Sequence, residues 1–203
     1  DWSEYKTPDF FFFFDSFHFL VNAAWRVKNV KAAIQLMTSI PNARLNVLGG
    51  SRFNVNMGIR FTFSAKVRFY GMVGGDQKDS LLNSSKGLIF PVRWHEPFGL
   101  ALIESLYFGC PVFGTPYGSL PEIISSEYGF LSNKKEILKE AIENVSVFSN
   151  KACHEYSRDQ FNSGIMAQAY LDKYQQILDG EQLNPTCPRL IEVQTEKFLP
   201  WYD

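Results

Sequence analysis

The chain has 203 residues, of which 45% are hydrophobic and 20% charged, and its formal net charge is −1. A chain of this length and apolar content can bury a substantial core and form one large domain. Because acidic and basic residues nearly cancel, the overall charge argues against nucleic acid or an anionic membrane as a partner.

A run of phenylalanines, Phe10 to Phe14, stands near the start of the chain. The run is far too short to span a bilayer, and no basic region precedes it as in a signal peptide. We expect it to lead into a first strand at residues 17–21, although a membrane-touching or aggregation-prone segment is an alternative. Because the chain begins with Asp1 rather than methionine, we expect it to be a piece of a longer protein.

The cysteines and histidines show no pattern typical of a metal site. Cys110, Cys153 and Cys187 are odd in number and lack metal-ligand spacing, and the three histidines are scattered along the chain. An odd cysteine count also argues against a disulfide scaffold. The sequence therefore predicts a cytoplasmic protein with no metal, no cofactor and no transmembrane segment. We expect any contact with a membrane to be peripheral and to involve parts of the protein outside this chain.

Short apolar runs alternate with amphipathic segments along most of the chain. Apolar runs bounded by turn residues predict buried strands, and apolar residues at helical spacing predict helices. The predicted strands lie at residues 17–21, 44–48, 67–71, 87–90, 111–114 and 129–132. The predicted helices lie at residues 30–39, 76–83, 99–108, 121–124, 134–147 and 162–178. This alternation predicts an α/β fold, a Rossmann-like parallel sheet flanked by helices.

Some details of these elements are also predicted. Asp76 has the residue type that caps a helix start, and we expect it to cap the helix that runs to Asn83. The mixed signals of residues 51–66 predict no regular element. In the helix at residues 162–178 four residues have core spacing, which predicts a buried face made of Met166, Ala169, Tyr170 and Tyr174.

The most informative stretch is the loop between the strand at residues 87–90 and the next helix. In open α/β sheets such loops lie at the carboxyl edge, where ligands bind. The backbone N–H groups of Phe98, Gly99 and Leu100 stand at a helix start, which favours an anion such as phosphate. Glu96 and Glu104 flank this turn as acceptors for hydroxyls, so a nucleotide sugar fits. Taken alone, the two glutamates are as compatible with a structural role, one as a helix-start charge and the other on a solvated helix face, as with ligand binding.

The run from His95 to Glu104 reads HEPFGLALIE and resembles the E-x7-E signature of the family-4 (group 1) retaining glycosyltransferases. The segments at residues 109–115 and 118–124 also resemble that family. The resemblance extends from about Phe17 to Leu178 and corresponds to the donor-binding lobe. It implies one lobe of the two-Rossmann-lobe (GT-B) architecture, which transfers a sugar from a nucleotide-diphospho-sugar without a metal.

The resemblance also implies a role for each site residue. Glu96 would contact hydroxyls of the transferred sugar, and Glu104 would contact the ribose. Lys28 and the amides at residues 98–100 would hold the diphosphate. Val73 belongs to a loop that lies against the nucleotide base in the family. Catalysis would then consist mainly of stabilising the charge on the departing diphosphate, with Glu96 and Lys28 as the catalytic residues.

One residue of the family pattern is missing. The family carries a glycine-arginine pair followed five residues later by a lysine, and both cations reach the diphosphate. Lys28 matches the lysine, but Ala23 stands at the arginine position. Arg26 is the candidate substitute. This departure puts in doubt either the activity of the full protein or the usual diphosphate geometry.

We assign residues 1–180 to the donor lobe and residues 181–203 to a C-terminal tail that we expect to cross back to an N-terminal lobe. That lobe would bind the acceptor, whose identity the sequence leaves open, so the chain alone should bind a donor but transfer little. The alternatives are a non-catalytic nucleotide-sugar binding domain, or an epimerase or phosphorylase on the same fold. The absence of a G-x-G-x-x-G turn after the first strand argues against a NAD or FAD domain.

Overall fold

Six parallel strands form the central sheet of the computed structural model, which describes residues 2–5, 8, 16–54, 60–189, 193 and 195–203. The run from Phe10 to Phe14 lies outside the described residues. The strands are β1 (Ser16–Leu20), β2 (Arg44–Leu48), β3 (Phe53–Asn54), β4 (Arg60–Phe61), β5 (Val67–Gly71), β6 (Leu88–Phe90), β7 (Val112–Gly114) and β8 (Gly129–Leu131). The helices are α1 (Val30–Ser39), α2 (Gly75–Asn83), α3 (Leu100–Tyr107), α4 (Leu120–Ile123), α5 (Lys135–Glu143), α6 (Asn150–Gln160) and α7 (Ser163–Leu178).

The strand order of the sheet is β5-β2-β1-β6-β7-β8. The chain builds outward from β1 through β2 to β5, and then returns to place β6 on the other side of β1. The order reverses between β1 and β6, and this is the position where open α/β sheets form a crevice for ligands. The Rossmann-like fold predicted from the sequence is therefore confirmed.

Apolar side chains cover both faces of the sheet. On one face, strand residues such as Phe19 and Val47 pack with α1 and α5. On the other face, Phe90 and Val112 pack with α3. Both faces are buried because helices cross over each of them, and this explains why the strands read as apolar runs in the sequence.

Most element boundaries agree with the sequence prediction to within one or two residues, but several features differ. The helix predicted to extend to residue 147 ends at Glu143, and a separate 3-10 turn follows at Val145–Val147. Helix α2 begins at Gly75 after Gly74, so Asp76 lies in the first turn and does not cap it. Two short strands pair antiparallel within residues 51–66, where no element was predicted. Helix α6 was not predicted because only Cys153 and Ser157 of it are buried.

The buried face predicted for α7 is wrong. No residue of α7 is buried, and Met166, Tyr170 and Tyr174 are each more than half exposed. Helical spacing of apolar residues defines a face of the helix, but it does not specify a partner within the same chain. Among the helices that the structure describes, none combines the length and apolar content that crossing a bilayer requires.

The last residues of the tail return to the lobe itself. The Leu199 amide donates to the Arg93 carbonyl at 3.0 Å, and Arg93 Nε donates to the Leu199 carbonyl at 2.7 Å. The amide of Tyr202 donates to the carbonyl of Asn133 at 2.9 Å, which fixes the tail beside the loop after β8. A crossing of the tail onto another lobe stays a prediction.

Candidate functional site

A cavity of about 580 Å³ opens at the carboxyl edge of the sheet, beside the point where the strand order reverses. Its walls come from the ends of β1 and β2, the loops after β5 and β6, and the first turns of α3. Seven of the eight residues predicted for the site line it, namely Lys28, Val73, Glu96, Phe98, Gly99, Leu100 and Glu104. The eighth, Arg26, is exposed and is not part of the cavity wall.

Lys28 and Glu96 form a buried ion pair in this cavity. Lys28 Nζ donates to Glu96 Oε2 at 2.6 Å, and their side chains are only 8% and 9% exposed. Lys28 ends a 3-10 turn after β1 and Glu96 lies in the loop after β6, so the pairing of β1 with β6 brings them together. Removing one partner of such a pair leaves an uncompensated buried charge, which is strongly unfavourable.

Trp94 contacts both members of the pair. Its indole Nε1 donates to Glu96 Oε2 at 2.8 Å. The Lys28 ammonium lies 4.6 Å from the centre of the Trp94 ring, a distance typical of a cation–π interaction. Trp94 was not among the residues predicted for the site. Its position two residues before Glu96 was visible in the sequence, but the direction of its indole was not.

The loop that carries Glu96 is fixed by a tight turn before α4. Gly118 has φ +64°, and a Cβ at this position would collide with the backbone N and O of Glu96. The Ser119 amide donates to the Glu96 carbonyl at 2.9 Å, and the Ser119 hydroxyl donates to the Phe98 carbonyl at 2.8 Å. Glycine is therefore required at 118, and this turn sets the position of the glutamate.

Helix α3 points its N-terminus at the cavity. Gly99 precedes the helix in the left-handed conformation, with φ 86°, and its carbonyl accepts the first turn bond from the Leu102 amide at 2.8 Å. The first amides of a helix lack intrahelical partners and carry partial positive charge. Since Gly99 has no side chain, an anion can approach these amides closely.

Glu104 has two partners that the sequence analysis missed. Its Oε1 accepts hydrogen bonds from the Tyr5 hydroxyl at 2.6 Å and from Lys78 Nζ at 2.9 Å. Tyr5 directly follows a 3-10 turn at Trp2–Glu4, and Lys78 lies in α2. No spacing in the sequence links either residue to Glu104. A carboxylate among apolar residues needs such partners, because burying an unpaired charge is costly.

Charges around Glu104 shift two pKa values. Burial works to lower the pKa of Lys78, but the hydrogen bond and the negative charge of Glu104 outweigh it, so the pKa is raised. Burial, and then the same carboxylate, raise the pKa of Tyr5. Lys78 therefore stays a cation at the cavity wall.

The arginine position of the family pattern has no room for a long side chain. Ala23 is 3% exposed, and its amide donates to the Gly49 carbonyl at 2.9 Å. Even a Cβ added to Gly50 would come within 2.5 Å of the Ala23 Cβ. The two cations at the cavity are therefore Lys28 and Lys78, among the residues that the structure describes.

The cavity presents a defined set of charged and polar groups to a ligand. Within the described part of the chain, no group of three or more His, Cys, Asp or Glu side chains is arranged to hold a metal ion. What the cavity offers is two ammonium groups, the amides of a helix start and two carboxylates. This set can receive phosphate oxygens and hydroxyl groups in one ligand.

Comparison with known proteins gives relatives that are longer than this chain. It is 30% identical over 115 residues to the uncharacterized 41.2 kDa protein in the cps region of Klebsiella pneumoniae, which covers 53% of this chain and 32% of that protein. Sucrose-phosphate synthase of Thermosynechococcus elongatus has a TM-score of 0.66 at 22% identity, covering 82% of this chain and 46% of its own. Anabaena HepE, solved with UDP-glucose, has a TM-score of 0.64 at 13% identity, and the match covers 79% of this chain and 48% of the HepE chain.

At these sequence identities the solved structures indicate only the fold of this chain. The chain spans about a third of the curated relative and about half of each solved chain. The family model described as Glycosyl transferases group 1 matches residues 15–159, which is most of this chain and includes the whole cavity loop. The chain belongs to the group 1 glycosyl transferases.

Proposed function

We propose that the cavity binds a nucleotide-diphospho-sugar, and that in the full protein this lobe supplies the donor for retaining transfer of the sugar to an acceptor. The observation that carries the proposal is that each carboxylate at the cavity is bonded to a lysine, Glu96 to Lys28 and Glu104 to Lys78. The two pairs flank the N-terminus of α3. Anionic and hydroxyl-bearing parts of one ligand therefore have complementary partners side by side.

The position of each group suggests its role. The amides of residues 98–100 and the Lys28 ammonium would hold the diphosphate. Glu96, which is paired with Lys28, would accept hydrogen bonds from hydroxyl groups of the sugar. Glu104, which is paired with Lys78 of α2, would accept hydrogen bonds from hydroxyl groups of the ribose. Val73 lies on the wall that the base would contact.

The chemical step would rest on charge stabilisation at the leaving group. When the bond between sugar and diphosphate breaks, negative charge grows on the departing oxygen. The Lys28 ammonium and the oriented amide dipoles of the helix start would stabilise that charge. We propose that no metal takes part, and that the acceptor enters from a part of the protein beyond this chain. Cys110 and Cys153 are buried as free thiols, which fits the cytoplasm as the site of action.

Thermal shifts test the donor assignment on the full-length protein. A panel of UDP, GDP and ADP, their glucose and mannose esters, and the bare nucleosides serves as the set of probes. We expect at least one diphosphate to raise the melting temperature and its nucleoside to have almost no effect, because the diphosphate supplies the charge that the site receives. Equal shifts from nucleoside and diphosphate, or no shift from any probe, would refute the proposal. EDTA should change nothing.

A second candidate is a domain that binds nucleotide sugars without transferring them. It is favoured by the buried Ala23, which replaces a diphosphate-binding arginine, and by the exposed Arg26, which lies outside the cavity wall. Donor hydrolysis or transfer by the full-length protein, measured with the donor that binds, separates the two. Binding without turnover would support the non-catalytic domain.

A further inference from the structure

The two hydrogen bonds to the Glu96 carboxylate end on the same oxygen. Lys28 Nζ and Trp94 Nε1 both donate to Oε2, at 2.6 Å and 2.8 Å. No hydrogen bond joins Oε1 to another described residue, and Glu96 lines the cavity. Oε1 is therefore the oxygen that can accept a hydrogen bond from a hydroxyl of the ligand. The hydrogen bonds of Lys28 and Trp94 to Oε2 set the direction in which Oε1 points.

Lys28 has two competing partners once a diphosphate enters. In the free protein its ammonium is paired with Glu96, and it also lies over the rings of Trp94 and Phe90, at 4.6 Å and 5.5 Å. A diphosphate would draw the same ammonium away from Glu96. The Glu96 carboxylate, whose side chain is 9% exposed, would then lose its only cationic partner among the described residues.

The indole N–H of Trp94 does not face this competition in the same way. It is neutral and can only donate, and it sits two residues before Glu96 on the same loop. We infer that Trp94 is a positioning residue of the donor site, whose N–H keeps Glu96 oriented toward the sugar while its ring guides Lys28 between Glu96 and the diphosphate. This inference rests on the proposed function.

Two substitutions separate the two roles of Trp94. Trp94→Phe keeps an aromatic ring and removes the donor, whereas Trp94→Leu removes both. For Trp94→Phe we expect the affinity for the sugar ester to fall by about tenfold, the loss of one hydrogen bond to a charged group, and the affinity for the diphosphate to stay within about twofold. For Trp94→Leu both affinities should fall. The probes are the diphosphate that binds best in the panel and its sugar ester, with full-length protein in a calorimeter.

Trp25 offers a matched control. It lines the same cavity, is 46% exposed, and has no hydrogen bond to Glu96. Trp25→Phe should leave the ratio of the two affinities as in the wild type. A ratio that is unchanged in Trp94→Phe, or that changes equally in Trp25→Phe, would overturn the inference.

A spectroscopic measurement tests the bond without any donor. In protein carrying ¹⁵N-labelled tryptophan, the indole resonance of Trp94 is assigned by its disappearance in Trp94→Phe. Glu96→Gln should shift this resonance, because a hydrogen bond to a neutral amide is weaker than one to a carboxylate. If no probe of the panel binds, the proposed function fails while this resonance still decides the Trp94–Glu96 contact. A resonance that Glu96→Gln leaves in place would overturn the positioning role.

Discussion

Lys78 Nζ lies 2.9 Å from Glu104 Oε1, so that an ion pair joins α2 to α3 at the wall of the cavity. The side chains are 17% and 21% exposed, which shields the pair from solvent more than a surface pair. Tyr5 donates to the same oxygen, and together the two donors fix one half of the carboxylate.

Replacing this lysine should affect both stability and binding. Lys78→Met is expected to lower the free energy of unfolding by ~1–3 kcal/mol, since a hydrogen bond to a charged group is lost. Affinity for the nucleoside diphosphate should also fall, because the site loses one of its cations. Lys151→Met is the control, since Lys151 is 76% exposed in its pair with Glu155 and such pairs contribute little. Unchanged diphosphate affinity in Lys78→Met would mean that the lysine only supports the fold.

Glu104→Gln tests the ribose contact. A neutral amide oxygen still accepts a hydrogen bond, but more weakly than a carboxylate. We expect a modest loss of stability together with weaker binding of the nucleoside diphosphate. Calorimetry and the melting temperature are measured on the same protein. A lower melting temperature with intact binding would assign Glu104 to the fold alone.

Glu96 requires a different pair of variants because it is bonded to Lys28. Glu96→Gln keeps an acceptor for Trp94, and it should weaken binding of the sugar ester by ~1–3 kcal/mol while diphosphate binding stays equal or improves. Diphosphate binding is preserved because the Lys28 ammonium no longer has to break an ion pair with a carboxylate before it contacts the diphosphate. Glu96→Ala should show the same selectivity with a larger loss of stability, ~3–5 kcal/mol, since the ammonium stays buried without a partner.

Turnover gives a further check on Glu96. In the full-length enzyme the rate should fall further than donor affinity, because contacts that tighten in the transition state act on the rate. Equal losses of affinity for the diphosphate and for its sugar ester would show that Glu96 does not contact the sugar.

His18 should make stability depend on pH. It is buried, its Nε2 lies 2.7 Å from the Ser105 hydroxyl, and its Nδ1 has no hydrogen-bond partner among the described residues. Ser105 Oγ donates to the Ala101 carbonyl, so Nε2 carries the proton and donates to Ser105. Burial lowers the pKa of His18 from 6.5 to about 3.

The sign of the effect follows from these two pKa values. As the pH falls below 6.5, the unfolded chain binds a proton at His18 that the folded chain does not bind, until about pH 3. Stability is therefore fully retained above 6.5 and declines through this window, by at most ~1.4 kcal/mol per pH unit from this group. Chemical denaturation at several pH values in this window measures the free energy of unfolding, which should decline less steeply with falling pH in His18→Gln than in the wild type. Identical profiles in His18→Gln and the wild type would contradict the prediction.

The sequence predicted the fold well where the physical cause is local. Residues 45–48 of β2 are buried, and a strand that is buried on both faces can be recognised in the sequence without knowing its neighbours. The buried face predicted for α7 was wrong because burial depends on a distant partner. Met166 and Tyr170 define an apolar face, but their spacing does not indicate what would cover it. Helix α6 was missed since a helix that buries little carries little apolar periodicity.

The same distinction holds for the site. Glu96 and Glu104 stand in one contiguous motif, both were predicted for the site, and both line the cavity. The partners of Glu104, Tyr5 and Lys78, come from segments far away in the chain and meet it only through tertiary packing. The Lys28–Glu96 bond was likewise missed, although both residues were predicted for the site, since no spacing indicates that two residues on neighbouring strand ends will bond to each other.

The pairing of β1 with β6 also makes the cavity depend on the junction between the two halves of the sheet. The two strands are in register at a single position, His18 opposite Leu88, whereas β1 and β2 pair along their whole length. Lys28 belongs to the half of the sheet before this junction and Glu96 to the half after it. A chain in which each half has formed but the junction has not would have ordered strands and no binding site. A ligand that bridges Lys28 and Glu96 would thus act as a clamp on the junction, and it should slow the separation of the halves more than fraying within either one.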